Sequence, residues 1–554
     1  MAATAAATYN ATLPQRKIYQ SAPDGAAAKT PISLMPSSSA KPLLCHAIKT
    51  LQNRQRRPPL PLRLALPGSV RLRQHVGPRL IHVLNVARAA RRHYRGRPRR
   101  RRPPARPPAL PHIAAELYDA RPQFRDEGPA LDLSEAHQEV LRAIDPGLDA
   151  CLDRAGAVYS SVALCVGTAT TPHRAVDVSG LPIPGRRTVG RQALLDEMLV
   201  DVPPYQLHTN TPIVAVSAAA ETDVGGGAAY LEFVDGTRRR YDVVIGADGT
   251  HSLARAYAIS GQGSGATGPD EDPAHKPVPA GSWTIPLEVP LARAQQAMGG
   301  AAYLDPQNPC RAGWIGDGIF MQHDFVNHGR DVQISLSAML PPPSSTNGRT
   351  GSSHPSAAAG PSWAKLFTTE EFEATFAQNR SPACRGMVKL VQSVYTIQIA
   401  GIVQMQPVAT PRYHRGRVGV LGGAAHAAGP YDGAAAGLAL EQALVLGTLL
   451  GHSASSGVGL RGFTPGGRDV EASLPYYALQ AYDAVCRPRA DLVVRAAADV
   501  ADTLLGRGGG GLDPAGIAER LRHRWPAVHQ LHVAGLQNAA LDTMERFIAE
   551  DSKW

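Results

Sequence analysis

Residues 241–255 read Tyr-Asp-Val-Val-Ile-Gly-Ala-Asp-Gly-Thr-His-Ser-Leu-Ala-Arg, and few folds can hold that string. Val243 to Ile245 is a continuous apolar, β-branched run, which belongs in a strand covered on both faces. Gly246 ends it where a side chain would block close approach, and Asp248-Gly249 turns the chain into a helix. The Asp248 carboxylate has two possible employments. It caps that helix, or it accepts hydrogen bonds from a hydroxylated ligand. Ligands of open α/β sheets bind outside the carboxyl ends of the strands, where this turn must lie.

A second string has the same logic. Arg417-Val-Gly-Val-Leu is an apolar strand, Gly422 to Gly433 a loop of small residues, and Gly433 to Leu450 a long helical pattern. Such a helix start offers free N–H groups and partial positive charge to an anionic or electron-rich ligand. Close packing of an Ala/Gly helix on a sheet would give the same composition. The remaining text predicts strands at 114–119, 213–217, 229–234, 319–324 and 331–340, and helices at 133–144 and 474–505. Trp314 to Asp324 reads as one strand region, and 261–281, 341–361 and 453–467 as loops.

Composition excludes several classes. With 44% hydrophobic and 19% charged residues in 554, most of the chain should be globular. No run approaches 18 apolar residues, so no membrane span is expected, and Met1 to Lys17 lacks the layout of a secretion signal. Six scattered cysteines without a CxxC pair argue against metal sites and disulfides and suit a cytoplasmic location. The net charge of +11 suggests nucleic acid only until its distribution is read. Residues 51–110 hold 17 Arg with no Lys, Asp or Glu, and removing them leaves −6 for the rest. The basicity therefore belongs to one Arg/Pro stretch unable to bury a core, and no nucleic-acid partner is expected.

The two strings together resemble the FAD-dependent aromatic monooxygenases of the salicylate and para-hydroxybenzoate hydroxylase group. The first is similar to that family's Gly-Ala-Asp-Gly-x-x-Ser-x-x-Arg motif. The second resembles its Gly-Asp-Ala-Ala-His-x-x-x-Pro-x-x-Gly-x-Gly motif, with Gly422, His426, Pro430, Gly433 and Glu441 matching. Gly423 stands where the family has the flavin-ribose Asp, Ala435 replaces a Gly, and Gln442 an Asp. Losing one hydrogen bond to a charged group costs about 1.5–3 kcal/mol, which weakens cofactor affinity without abolishing it. Thr188-Val-Gly-Arg191 resembles the family's His-Arg-x-x-Leu helix start, Glu116-Leu-Tyr-Asp119-Ala-Arg its Tyr-Glu-Ala-Arg, and Tyr482 to Arg489 a structural helix. The resemblance spans about 113–510.

It implies a Rossmann-like α/β FAD-binding domain with an inserted β-rich substrate region and C-terminal helices. The cofactor-binding residues it implies are Asp119, Gly128, Ala130, Arg191, Asp248, Gly249, Arg255, Gly422, Gly423, Pro430, Gly433 and Ala436. The implied reaction is hydroxylation, with or without dearomatisation, of a small phenolic substrate using FAD, NADPH or NADH and O2. The nearest likeness is to fungal polyketide-tailoring members of the azaphilone or tropolone type, and no catalytic residue can be aligned. The expected organisation is 113–260 and 401–510 for the FAD-binding domain, 261–400 for the substrate region, and 511–554 for a helical tail.

Residues 1–112 are the anomaly. A dinucleotide-binding domain should open with a strand and Gly-x-Gly-x-x-Gly, about 20 residues before an acid on the second strand. Asp119 supplies the acid, and the glycines are absent. Permitted codons for His93 to Arg100, read one base later, give Thr-Ile-Gly-Ala-Gly-Leu-Gly. Its first Gly takes the place of Arg95, 24 residues before Asp119. The segment is therefore either disordered or translated out of frame. Two other classes stay open, an inactive flavin-fold protein and a nucleic-acid binder with a basic arm.

Overall fold

In the computed structural model, residues 80–86 are described as backbone, and from 113 to 551 all but short segments are described, the longest gaps being 262–276, 341–363 and 457–469. The chain divides into residues 1–34 and 35–554, and every described residue lies in the second unit. The Arg-rich residues 87–112 lie outside the description, as does most of the three expected loops.

A six-stranded sheet anchors the α/β half. Its order is His414–Arg415, Val418–Val420, Val243–Gly246, Leu80–Val86, Ile113–Asp119, Leu207–His208. Val243, Val244 and Ile245 are fully buried, as their composition requires. Val243–Gly246 runs parallel to Val418–Val420, and Ile113–Asp119 parallel to Leu207–His208. The strand between those pairs, Leu80–Val86, is antiparallel to both neighbours. Four strands thus deliver their carboxyl ends to one edge of the sheet, while the central one runs against them. A right-handed βα crossover from the central position into Ile113–Asp119 would require the parallel direction.

The long helix Ala434–Ser456 packs on the helix Val470–Leu504, and the helix Glu135–Ile144 lies against the first of these. Two sequence expectations need correction here. The helix expected from Leu133 starts at Glu135 with Ser134 as its cap, because Leu131–Leu133 pairs as a strand with Arg187–Val189. The Ala434–Ser453 stretch is long and apolar enough to cross a bilayer, since its Gly and Ser barely dilute the Ala and Leu; it is a buried core helix. Four side chains tie the helices together. Glu441, from the helix that resembles the flavin motif, takes a paired contact from Arg489 at 3.0 and 3.1 Å. His137 Nε2 stands 3.8 Å from Glu441, and the His529 ring packs edge-on against that of His137.

The second half is an eight-stranded sheet built mainly on Val278–Pro290, Cys310–Gly316, Ile319–Val326 and Asp331–Met339. Trp314 to Asp324 is therefore a hairpin turning at Asp317-Gly318, where Gly318 takes φ +74°, rather than one strand. The sheet also takes in Ser161–Val166 and Arg174–Val176, from the segment expected to belong wholly to the FAD-binding domain. One face is apolar, with Trp283, Ile285, Phe325, Ile334 and Leu336 packed beneath the helices Leu291–Met298 and Pro382–Gln392. The other face is polar, and it looks onto the site.

Candidate active site

The site lies where the loop Ala428–Ala436, the strand Leu131–Leu133 and Arg191 meet the polar face of the eight-stranded sheet. Antiparallel partners share a face, so the registers write this wall row by row. Thr284 is opposite Ser337, Pro286 opposite Ser335, Gln322 opposite Ser335, and Asp324 opposite Gln333. Ala312 on His323 brings Arg311 beside Asp324. Thr284 and Ser337 share a hydrogen bond of 2.7 Å.

Buried charge is dense here, and it is paired. Arg311 forms an ion pair with Asp132 and donates to Gln322 Oε1 at 2.9 Å and to the Tyr431 carbonyl at 3.0 Å. Arg186 holds the same Asp132 through Nε at 2.8 Å. Asp324 accepts from Ser160 at 2.8 Å, from Thr188 Oγ1 and from its neighbour's amide; burial raises its pKa and Arg311 pulls it back. Asp432 accepts the Ala434 N–H at 3.0 Å, and burial pushes its carboxyl up to about 6.

The glycines of the loop have local reasons. Gly433 sits at φ +79°, and a Cβ there would fall 2.3 Å from the Asp132 carbonyl oxygen. The helix start can press on Leu131–Leu133 only because that side chain is missing. Gly422, at φ +60°, donates its N–H to Gln442 Oε1 at 2.8 Å, and His426 Nε2 stands 3.3 Å from the same oxygen. The departure at Gln442 is thus put to use as an anchor for the loop. Gly423 leaves no carboxylate at its position.

Five of the twelve expected cofactor residues line this pocket: Ala130, Arg191, Pro430, Gly433 and Ala436. Gly128 stands behind Arg191, where a Cβ would meet its Nε at 2.8 Å. Arg191 in turn donates to the Pro129 carbonyl at 2.5 Å and faces Asp126 at 3.5 Å. Asp119 ends the strand Ile113–Asp119 with Arg121 bound to its carboxylate at 3.1 Å. Gly422 and Gly423 begin the turn after Val418–Val420.

Asp248, Gly249 and Arg255 do not line the pocket. Asp248 is buried and accepts from Ser252, Leu253 N at 2.7 Å and Ala254 N at 3.3 Å. Between its two possible employments the structure shows the cap. Gly249 turns the chain at φ +77°, and Arg255 folds back to the Thr250 carbonyl at 2.7 Å. Asp132, Arg311, Asp324 and Gln333 were not legible as site residues. The available signal was the polar Gln322 and Asp324 at alternate positions of an apolar strand. His323, between them, points to the opposite face, 5.5 Å from the Trp314 ring, where burial lowers its pKa to about 4.

No family model matches the chain. Among curated proteins it is 26% identical to a 6-methylsalicylate 1-monooxygenase of Aspergillus terreus over 363 residues, 63% of this chain and 71% of that one. It is 25% identical to a salicylate hydroxylase of Pseudomonas putida over 399 residues, 68% and 77% of the two chains. Its homologues are salicylate hydroxylase-like FAD-dependent monooxygenases. Solved structures carry the fold. A salicylate hydroxylase substrate complex superposes with TM-score 0.56 at 20% identity, covering 74% of this chain and 90% of that one. CtdE in complex with FAD and substrate gives TM-score 0.56 at 15% identity, over 78% and 93%. The hydroxylase fold expected from the sequence is therefore the fold found.

The residues fit FAD unevenly. The N-terminus of the helix Ala434–Ser456, the bare glycine backbone at 429 and 433, and Arg191 make a cradle that suits a flavin ring. Asp119, at a strand end, suits a ribose. Beside Asp119, however, the central strand Leu80–Val86 runs so that its amino end, not its carboxyl end, reaches the ligand edge. Among the described residues, no strand-to-helix turn for a diphosphate follows this strand at that edge.

Proposed function

We propose that this chain is an FAD-dependent monooxygenase that hydroxylates a small phenolic substrate of secondary metabolism with O2, taking electrons from NADPH or NADH. The observation that carries the reading is the pocket itself: a glycine-lined helix start facing a wall of hydroxyl, amide and paired ionic groups. Arg191, Gly422, Gly423, Pro430, Gly433 and Ala436 would hold the flavin, with Gly128 and Ala130 shaping the turn beside Arg191, and Asp119 the ribose. FAD, when bound, supplies O2 activation and relays the electrons. The protein orients the ring on the sheet face and keeps water out. Asp248, Gly249 and Arg255 support the cofactor edge from behind, through the turn after Val243–Gly246. In this reading 113–260 and 401–510 form the FAD-binding domain, 261–400 the substrate region and 511–554 a helical tail, with 161–176 and 401–406 lent to the eight-stranded sheet.

The same reading includes a lesion in residues 93–112, translated one base out of register. The reversed Leu80–Val86 strand supports it, because a central slot between parallel strands is held by a segment of the wrong direction. The test is a visible spectrum of two purified chains, the sequence as it stands and one with 93–112 restored to the shifted frame, alongside the transcript sequence. Flavin bands and phenol-stimulated NADPH oxidation in the restored chain are expected. A transcript whose codons cannot yield the glycines would sink the lesion, and flavin in neither chain would sink the monooxygenase.

A further inference from the structure

Among the described residues, each arginine that lines the pocket already has its carboxylate. Arg311 is held by Asp132, and Arg191 faces Asp126 at 3.5 Å. Behind them Arg186 shares Asp132, and the carboxylates of Asp324 and Asp432 act electrostatically on Arg311. Around the cavity three guanidiniums (Arg186, Arg191, Arg311) therefore face four carboxyl groups (Asp126, Asp132, Asp324, Asp432). Asp132 and Asp324 are almost completely buried, so solvent does not screen this balance as it would at a surface.

An incoming aromatic carboxylate would lose its hydration on entering and find no unpaired guanidinium to replace it. That cost is not repaid when the local charge already sums to zero or below. An uncharged phenol meets a different wall. Thr284, Ser335, Gln322 and Gln404 offer hydroxyl and amide groups, which serve as donor or acceptor as a ring hydroxyl demands.

We infer that the pocket selects an uncharged phenolic ring and turns away aromatic carboxylates, and that Asp132 sets this preference by occupying Arg311. The inference rests on the pocket being the phenol site, and adds the charge class of the substrate. It separates this chain from relatives named for 6-methylsalicylate and salicylate, which carry a carboxylate. Asp132 is a specificity-determining residue whose action passes through Arg311.

The probes are resorcinol and 2,4-dihydroxybenzoate, the same ring without and with a carboxylate, titrated calorimetrically into the full chain at pH 7.5. Flavin content is recorded for each preparation. Resorcinol is expected to bind at least about tenfold more tightly. Asp132→Asn frees Arg311 and should raise the affinity for 2,4-dihydroxybenzoate about tenfold, leaving that for resorcinol within about threefold. Equal or tighter carboxylate binding by the unaltered chain overturns the inference, as does an unchanged ratio in folded Asp132→Asn. Should that variant fail to fold, Arg311→Met decides. A neutralised Arg311 can be lost without weakening carboxylate binding, whereas a carboxylate-binding Arg311 would cost tenfold or more. Binding of neither probe by a flavin-loaded chain overturns this inference and leaves the FAD reading standing. Selective resorcinol binding by a flavin-free chain supports this inference and leaves the FAD reading to be decided by the restored chain.

Discussion

Replacing Arg489 by Met removes a cation of similar volume from above Glu441 and leaves the carboxylate almost fully buried. The two N···O contacts are 3.0 and 3.1 Å. At an effective dielectric of about 20, unit charges that close interact by roughly 5 kcal/mol. Arg489 is 18% exposed, so water would recover part of this, and a net loss of about 3 kcal/mol is expected, at the low end for a broken buried pair. The Ala527 carbonyl also loses its 2.6 Å donor. His137 is a poor substitute at neutral pH, because burial, the larger cause of its lowered pKa, persists when Arg489 is gone. The assay is a thermal melt followed by far-UV circular dichroism, where the midpoint should fall by roughly 3 °C. Glu441→Gln with Arg489→Met should recover more than half of the loss. A fall of less than about 1 °C, or a double variant no better than the single, would refute the argument.

Gly433→Ala forces a Cβ onto the Asp132 carbonyl at φ +79°; the left-handed conformation alone costs about 1–2 kcal/mol, so a lower melting midpoint is expected, and weaker flavin retention on gel filtration when the substitution is made in the restored chain. Gln442→Leu strips the Gly422 N–H of its acceptor at a cost of about 1–3 kcal/mol, and faster amide exchange at 422–426 is the readout. Four buried histidines have lowered pKa values, about 4 for His137, His323 and His426 and about 3 for His529. Below pH 6.5 the unfolded chain therefore binds more protons at these sites, and stability falls from pH 6.5 toward 4. Asp432, raised to about 6, acts in the opposite sense, gaining stability as pH falls through 6. Asp248, Asp324, Glu288 and Asp502, also raised by burial, act in the same sense as Asp432. The four histidine shifts span the window from pH 6.5 to about 4, so denaturant midpoints should still drop between pH 7 and 5; an unchanged or rising midpoint would contradict the histidine burial.

What could be read in advance was whatever local pattern decides. Val243 to Gly246 and the helix from Gly433 are written in contiguous apolar residues, and both formed as expected. The Glu441–Arg489 pair lay inside two motifs 48 positions apart, but nothing in the spacing said that they meet. The polar wall was invisible because it exists only through register. Thr284, Gln322 and Ser335 come from three strands, and each looks like an ordinary polar position in its own. Asp132 sits in a three-residue strand too short to announce itself. Asp248 showed the opposite difficulty: its motif pointed to a ligand, and its carboxylate went to a helix start four residues on.

The reversed Leu80–Val86 strand separates two things usually inherited together. A backbone ladder accepts a strand in either direction, since N–H and C=O groups find partners both ways. The hydrophobic layers above and below need only apolar cover. Directionality matters to the phosphate end alone. A chain with this defect would melt cooperatively, show ordinary circular dichroism and superpose on its relatives, while its solution stayed colourless. Foldedness and colour are thus independent certificates for such a protein, and the second is the one that reports on the gene.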